Sequence, residues 1–382
     1  MSKDYNDHIA FDNLDTTSYE QMPYKEQLKT KENYVQTLFK RAVQPIVPNP
    51  VPRGYRHKAV LSATNITVNN QQKLRLGLFV EGSRHIKPKL GHFLHDQAID
   101  EIFISIESIL NKYKLKAYAR NYRQGIIKHV MIRKSYATGE MMVIFSTQLN
   151  NFPNHKKIVN ELIALHPNIK TIIQNIHHKD TKFVLLDEER IIYGKGFITD
   201  EIGDLTFKIS ANAFYQINPM QMFNLYNTVF ELAALKNTDI VIDAYSGIGT
   251  MTLLAAQFAG KVYGLEINPA SHKDAIENKK VNNISNVSFL LGDVEQTILN
   301  LNEKIDCLIM DPAREGSSLK FIQSVIKLKP KTIIYVSCNP ETQERDYKQL
   351  RNYYDLKFIQ PFDMFSYTPH VETIVLLSLK TA

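Results

Sequence analysis

Two residues toward the carboxyl end of the chain have the type and setting of reactive groups. Cys338 closes the apolar run TIIYVSC and precedes Asn339-Pro340, a turn that would present its thiol at a sheet edge. Glu372 is a lone carboxylate at the head of the apolar run VETIVLLSL. Each also has a plain structural reading, a buried cysteine and a strand-edge glutamate. The other cysteine, Cys307, lies between Ile305 and the pair Leu308-Ile309 and reads as a small core residue. Upstream, four acids end apolar runs: Asp243 in IVIDAYSGIGT, Glu266 in KVYGLEI, Asp293 in VSFLLGD and Asp311 in KIDCLIMD.

These acids fit a nucleoside ligand. Asp243 leads into a loop with Gly247 and Gly249, where backbone can approach a ligand at a strand-to-helix turn. Glu266 suits the two hydroxyls of a ribose, and Asp293 could accept from an adenine amino group. NAD and S-adenosylmethionine both answer that description. The third glycine of a GxGxxG loop is replaced by Thr252, and S-adenosylmethionine, having no pyrophosphate, does not need it. A cysteine beside a methyl donor then has a specific meaning for pyrimidines. Uracil C5 is too weak a nucleophile to attack a sulfonium methyl, and thiolate addition at C6 makes C5 nucleophilic. A base must afterwards remove the C5 proton, and Glu372 is the candidate.

The elements that would hold these groups fall into three stretches. Residues 1–48 are polar and acidic, then helical from about Tyr24, with Tyr34, Leu38 and Val43 as the apolar face. Pro45, Pro48, Pro50 and Pro52 read as a linker. Residues 49–200 carry the β-branched and aromatic runs of a β-rich domain, with helices expected in DQAIDEIFISIESILNKY and NHKKIVNELIALH. Residues 201–382 alternate strand and helix, the pattern of a doubly wound α/β sheet.

The 382 residues carry 46 Lys+Arg against 39 Asp+Glu, a formal charge of +7 that suits a polyanionic partner without specifying one. Two cysteines cannot build a four-cysteine zinc site, a four-cysteine iron–sulfur cluster or a disulfide framework, which fits a reducing cytosol. There is no membrane-length apolar run and no signal-peptide core, so a cytoplasmic protein is expected. The central domain is asymmetric: Val51 to His95 holds eight basic residues and one acid, Glu81. Lys112 to Lys134 holds eight more with no acid, interleaved with Tyr113, Tyr118 and Tyr122. Cations for phosphates and aromatic faces for bases suit RNA; a solvated basic face is the alternative.

DAYSGIGT, DPAREG, YVSCNPET and HVETIVLL, in this order and preceded by FKISANAFYQINPMQMFNLY, resemble the RNA (uracil-5-)-methyltransferases of the TrmA/RumA type over roughly residues 24–382. The resemblance implies a Rossmann-like class I methyltransferase sheet behind a central RNA-binding domain, S-adenosylmethionine as cofactor, Cys338 as nucleophile and Glu372 as base. It places Gln216, Tyr245, Gly247, Thr250, Glu266, Asp293 and Asp311 around the cofactor, with Asp311 also near the target uracil. RGYRHK looks like the family's Y-R-x-K strand, which puts Arg56 and Lys58 on the RNA. Ala313 replaces the second proline of the family's DPPR, leaving Asp311 and Arg314 in place. LDTTSYEQMPYKEQL looks like the family's iron–sulfur stretch without its cysteines: Leu14 and Thr17 stand at two ligand positions and His8 near a third, so no cluster is expected. Texture around GKGFITDEIGDLTFKIS is nearer the ribosomal-RNA branch, which favours 23S rRNA. A T-loop uridine of tRNA is the alternative, and a monomer is expected. An RNA-binding relative without catalysis and a small-molecule methyltransferase are the readings from other classes.

Overall fold

The computed structural model describes residues 17–80, 82–119, 121, 123–179, 181 and 183–381. The positions compared with iron–sulfur ligands at His8 and Leu14, the Thr17 side chain, and Glu81 and Tyr122 fall outside that description. The chain forms two compact units.

The first holds Arg53–Asp204 and Lys208–Asn212. Its sheet has β1 (Lys58–Val68), β2 (Gln71–Phe79), β3 (Ile86–Pro88), β4 (Ile127–Lys134), β5 (Met141–Thr147), β6 (Ile169–Ile176) and β7 (Glu189–Gly194), in the order β3-β2-β1-β4-β5-β6-β7. All neighbours are antiparallel except β5 and β6. That parallel step needs a crossover, which the helix His155–Leu165 supplies. A second helix, Gln97–Lys112, buries Ile99, Ile102, Phe103, Ile106, Ile109 and Leu110 against the sheet, the 3.6-residue stripe of its sequence. A hairpin of β8 (Phe197–Ile202) and β9 (Leu205–Ser210) comes next.

The second unit holds Asp15–Pro52, Leu205–Phe207 and Ala213–Ala382. In chain order its helices are α1 (Thr17–Glu20), α2 (Tyr24–Phe39), then, after α3 (Gln97–Lys112) and α4 (His155–Leu165) of the first unit, α5 (Pro219–Ala233), α6 (Thr250–Ala255), α7 (Pro269–Val281), α8 (Val294–Thr297), α9 (Leu319–Leu328) and α10 (Pro340–Leu350). Its strands are β10 (Ile240–Ala244), β11 (Lys261–Glu266), β12 (Val287–Leu291), β13 (Cys307–Met310), β14 (Thr332–Ser337), β15 (Tyr354–Phe362) and β16 (Glu372–Leu379). The sheet order is β12-β11-β10-β13-β14-β16-β15, parallel from β12 to β14, with β16 antiparallel to both neighbours. Strand order reverses beside β10, which makes its carboxyl end the switch point where ligands bind in such sheets. Cys307 is buried in β13, and burial pushes its thiol up to about 12.

Two sequence expectations change. The buried face of α2 is Gln27, Lys31, Val35 and Phe39, at four-residue steps, while Tyr34 is exposed. The proline cluster is no free linker. Gln44 and Val47 donate backbone hydrogen bonds to the Ile359 and Pro361 carbonyls, and the Gln360 amide donates to the Pro45 carbonyl. Prolines lack the donor that a full ladder requires, so the strap pairs only at intervals along the edge strand β15.

Candidate active site

Strand register brings the reactive groups together. Asp243 on β10 pairs with Ile309 on β13, and Ile309 with Ile334 on β14. Val336 pairs with Ile374 on β16, and Ser337 with Thr373. Side chains alternate along a strand, so Asp311, two residues past Ile309, shares Asp243's face. Cys338 and Glu372 extend the same rows to that face and stand abreast at the next rung. Neighbouring strands lie about 4.8 Å apart, so Asp243, Asp311, Cys338 and Glu372 form a short row across the carboxyl edge of the sheet. The opposite face, with Ala244, Met310 and Tyr335, packs into the apolar core with Phe321, Ile322 and Val325 of α9.

The turn into α10 fixes Cys338. Asn339 caps α10 by accepting from the Glu341 N–H, and Pro340 takes the first helical position, where a missing N–H costs nothing. Asn339 Nδ2 donates to the Arg314 carbonyl at 3.0 Å, tying the loops after β13 and β14. The Cys338 thiol is half-buried, and burial pushes its pKa up, reinforced by the negative charge of Glu372 and Asp311 and opposed by Arg314. Glu372 is 2% exposed. Burial, then Asp311, pushes its carboxyl well above the usual carboxylate range. Asp311 itself is pushed up to about 7 by burial and by Asp243. Asp243 is pushed up to about 7 by burial, although Thr252 Oγ1 donates to it at 2.5 Å.

The remaining predicted residues divide. Glu266 ends β11 nearly buried, accepting from the Gly247 N–H (2.8 Å) and the Asn268 N–H (2.6 Å) on different oxygens. Each oxygen keeps a lone pair for a hydroxyl donor. Gly247 has φ +56° and a side chain added there would meet nothing within 4 Å, so this loop borders open space. Gly249 serves packing instead: a Cβ would come 2.6 Å from the Phe289 ring. Ser246 Oγ in the same loop is buried with no hydrogen-bond partner among the described residues. Asp293 caps α8, accepting from the Glu295 N–H at 3.0 Å, which commits one oxygen and leaves the other. Tyr245, in the left-handed region at φ +67°, turns its hydroxyl to Ser317 Oγ (3.2 Å) and packs on Phe321. Gln216 is buried with no hydrogen bond to its amide among the described residues. An orphaned hydroxyl, an open glycine loop and acceptors with spare lone pairs together suit an adenosyl ligand.

Arg56 and Lys58 lie in the first unit, 5% and 8% exposed, flanking the start of β1. They are not on a solvated face, and the cations that are exposed there include Arg53, Lys73, Arg84, Lys87, Lys89, Lys114, Lys116 and Arg123. Tyr226, which no motif singled out, and Thr252, noted only as standing in place of a third glycine, join the row. Tyr226 of α5 is buried with its phenol toward Asp311, Asp243 and Glu372 and within hydrogen-bonding reach of Thr250. Thr252 holds Asp243. Their signal lay in helix-to-sheet register, which spacing along the chain does not carry.

The tRNA (uracil-5-)-methyltransferase family model matches residues 154–380. An uncharacterized RNA methyltransferase of Oceanobacillus iheyensis is 36% identical over 372 residues, covering 94% of this chain and 80% of its own. One from Staphylococcus aureus is 34% identical over 382 residues, 97% and 84%. Among solved structures, the Pyrococcus abyssi tRNA (uracil-54, C5)-methyltransferase in complex with S-adenosyl-L-homocysteine superposes with TM-score 0.78 at 25% identity, over 95% of this chain and 86% of that one. With the switch-point loop and the row of reactive side chains already in the fold, these likenesses make this chain a member of the tRNA (uracil-5-)-methyltransferase family, an S-adenosylmethionine-dependent RNA methyltransferase.

Proposed function

We propose that this protein methylates C5 of a uridine in RNA, with Cys338 as nucleophile and Glu372 as general base. The observation that carries this reading is the strand register that sets the two side chains abreast, with Asp311 on the next strand. Glu266 would hold the ribose hydroxyls and Asp293 the adenine amino group; Gln216, Tyr245, Gly247, Thr250 and Asp311 would line the rest of the cofactor. S-adenosylmethionine, when bound, supplies an electrophilic methyl group.

Cys338 attacks uracil C6 as the thiolate, and the C5=C6 electron pair moves toward the C4 carbonyl oxygen. In the free protein the thiol is held protonated by its burial and the acids beside it, and Arg314 is the cation that opposes them. Once C5 carries its methyl group, Glu372 takes the C5 proton, the ring double bond re-forms and the C6–S bond breaks. Tyr226 and Thr250 brace the helix side of this row.

Of the two RNA classes, 23S rRNA is favoured by the sequence texture just before α5. A tRNA uridine is the second reading, favoured by the Pyrococcus abyssi structure, whose enzyme acts on tRNA uracil 54. Tritiated methyl transfer to unmodified 23S rRNA and, separately, to unmodified tRNA, followed by nucleoside digestion, tests both. Label recovered as 5-methyluridine from one pool supports the chemistry and identifies the RNA. Cofactor binding with no label in either pool overturns the reading and points to an RNA-binding relative without catalysis.

A further inference from the structure

We propose that the carboxylate row Asp243–Asp311–Glu372 selects a cationic ligand over a neutral one of the same shape, so that the protein favours the sulfonium cofactor over its thioether product. This rests on the placement of the cofactor beside Cys338 and Glu372 proposed above.

The row is short of positive charge. Register puts all three carboxyls on one sheet face. Among the described residues, neither Glu372 nor Asp311 has an ion pair or a side-chain hydrogen bond, and Asp243 has Thr252 alone. The other titratable groups facing the row are the Tyr226 phenol from α5, the Cys338 thiol from β14 and Glu266 from β11, which adds more negative charge. Arg314 faces Cys338, but it is exposed and its guanidinium lies 3.3 Å from His370 Nδ1.

Carboxylates crowded on one face, Asp243 and Glu372 buried and Asp311 half-buried, cannot all ionise without cations, so the row keeps protons that exposed acids would lose. Asp243 and Asp311 are both pushed up to about 7, which places their titration in the working range. A fixed positive charge seated in that low-dielectric site takes the protons' place and is attracted strongly. A neutral thioether offers nothing equivalent. Methyl transfer removes the charge, which weakens the hold on the product and leaves Glu372 disposed to accept a proton at the step that delivers one.

Calorimetric titration of the full chain with S-adenosylmethionine, S-adenosylhomocysteine and sinefungin, whose amine is cationic at the corresponding position, tests this without turnover. Near pH 8 both cations are expected to bind about tenfold more tightly than S-adenosylhomocysteine, with proton release on binding, and the preference should shrink toward pH 6 as the row protonates. Glu372→Gln should cut the preference to about twofold or less while keeping the S-adenosylhomocysteine affinity, which also reports that the variant is folded. Asp311→Asn should cut the preference likewise, with urea unfolding reporting that the variant is folded. Equal binding of all three ligands across pH overturns the inference, as does a preference that survives both variants. Sinefungin siding with the neutral ligand would trace the preference to the methyl group's shape and overturn it too. Selectivity with no 5-methyluridine formed would sink the proposed function and leave this inference standing.

Discussion

At the scale of the residue, Glu372 sets function against stability. Folding buries it beside Asp311 and raises its pKa well above the usual carboxylate range. The folded state therefore holds a proton that the unfolded chain releases first as pH rises. Stability must fall between the ordinary carboxylate range and the raised value, and it recovers in acid. Glu372→Gln removes that penalty. It should unfold in urea at a higher midpoint than the parent near pH 8, and the gap should close near pH 4. A gap unchanged with pH would mean that the carboxyl is not titrating. The same variant should accumulate a covalent RNA adduct, visible as a shifted band on a denaturing gel, because addition and methylation proceed while proton removal fails. Cys338→Ala should form no adduct and no 5-methyluridine yet keep its cofactor affinity. That Cys338, Asp311 and Glu372 stand at strand ends was legible in the sequence, because the first two close an apolar run and the third opens one, and a polar group there has to face an edge. Tyr226 was not, since a tyrosine within an apolar helix reads as core until the sheet beneath it is known.

At the scale of the element, the N-terminal helix and its strap help to position Glu372. The loop from Asp363 to Val371 leads directly into Glu372, and buried polar contacts fix it. Lys31 Nζ lies 2.5 Å from Asp363 Oδ1, with side chains 1% and 0% exposed, and also donates to the Phe365 carbonyl at 3.0 Å. Tyr24 and Ser366 donate to the other Asp363 oxygen at 2.7 and 2.6 Å. Tyr367, held in the left-handed region at φ +59°, gives its N–H to Gln27 Oε1, and Asn218 at the cap of α5 holds the Met364 carbonyl. None of this was readable in advance: lysine and glutamine at four-residue spacing suggest a wet face, and the partner lies more than three hundred residues away. The alternating strands of β10 to β14 were readable because each is a continuous apolar run between turn signals. The edge strand β15 escaped because Asp355 and Lys357 break its pattern. Lys31→Met leaves a buried aspartate unpaired and should cost about 3–5 kcal/mol in urea unfolding. Adding Asp363→Asn should restore part of that loss, as a paired site requires. If the double variant is no more stable than the single one, the two residues are not energetically coupled.

At the scale of the whole molecule, charge has to be sorted by exposure and by partner. Four acids of the second unit, Asp243, Glu266, Asp311 and Glu372, stand at or beside strand ends of its sheet, and the first unit exposes cations such as Lys73, Lys87, Lys89, Lys114 and Lys116. Some neighbouring charge is already committed, as in the pairs Arg75–Glu107 and Lys112–Glu161, so not every basic residue counts toward a partner. Composition alone could not make that distinction, and Arg56 and Lys58, which the family resemblance puts on the RNA, are only 5% and 8% exposed. Phosphate binding by exposed cations carries a signature that base contacts lack. Each neutralised phosphate releases a counterion, so the logarithm of the affinity falls linearly with the logarithm of salt, by about 0.7 to 0.9 per contact. Replacing Lys114 and Lys116 together by alanine should therefore weaken RNA binding at low salt and flatten that slope by about 1 to 2. S-adenosylhomocysteine binding, measured beside it, should not move. An unaltered slope would take this pair out of the RNA interface, while a loss of cofactor affinity would show that the substitutions had disturbed the fold. A flattened slope with constant cofactor affinity would assign RNA capture to the first unit and leave the uncompensated acids of the second free to respond to the cofactor's charge alone.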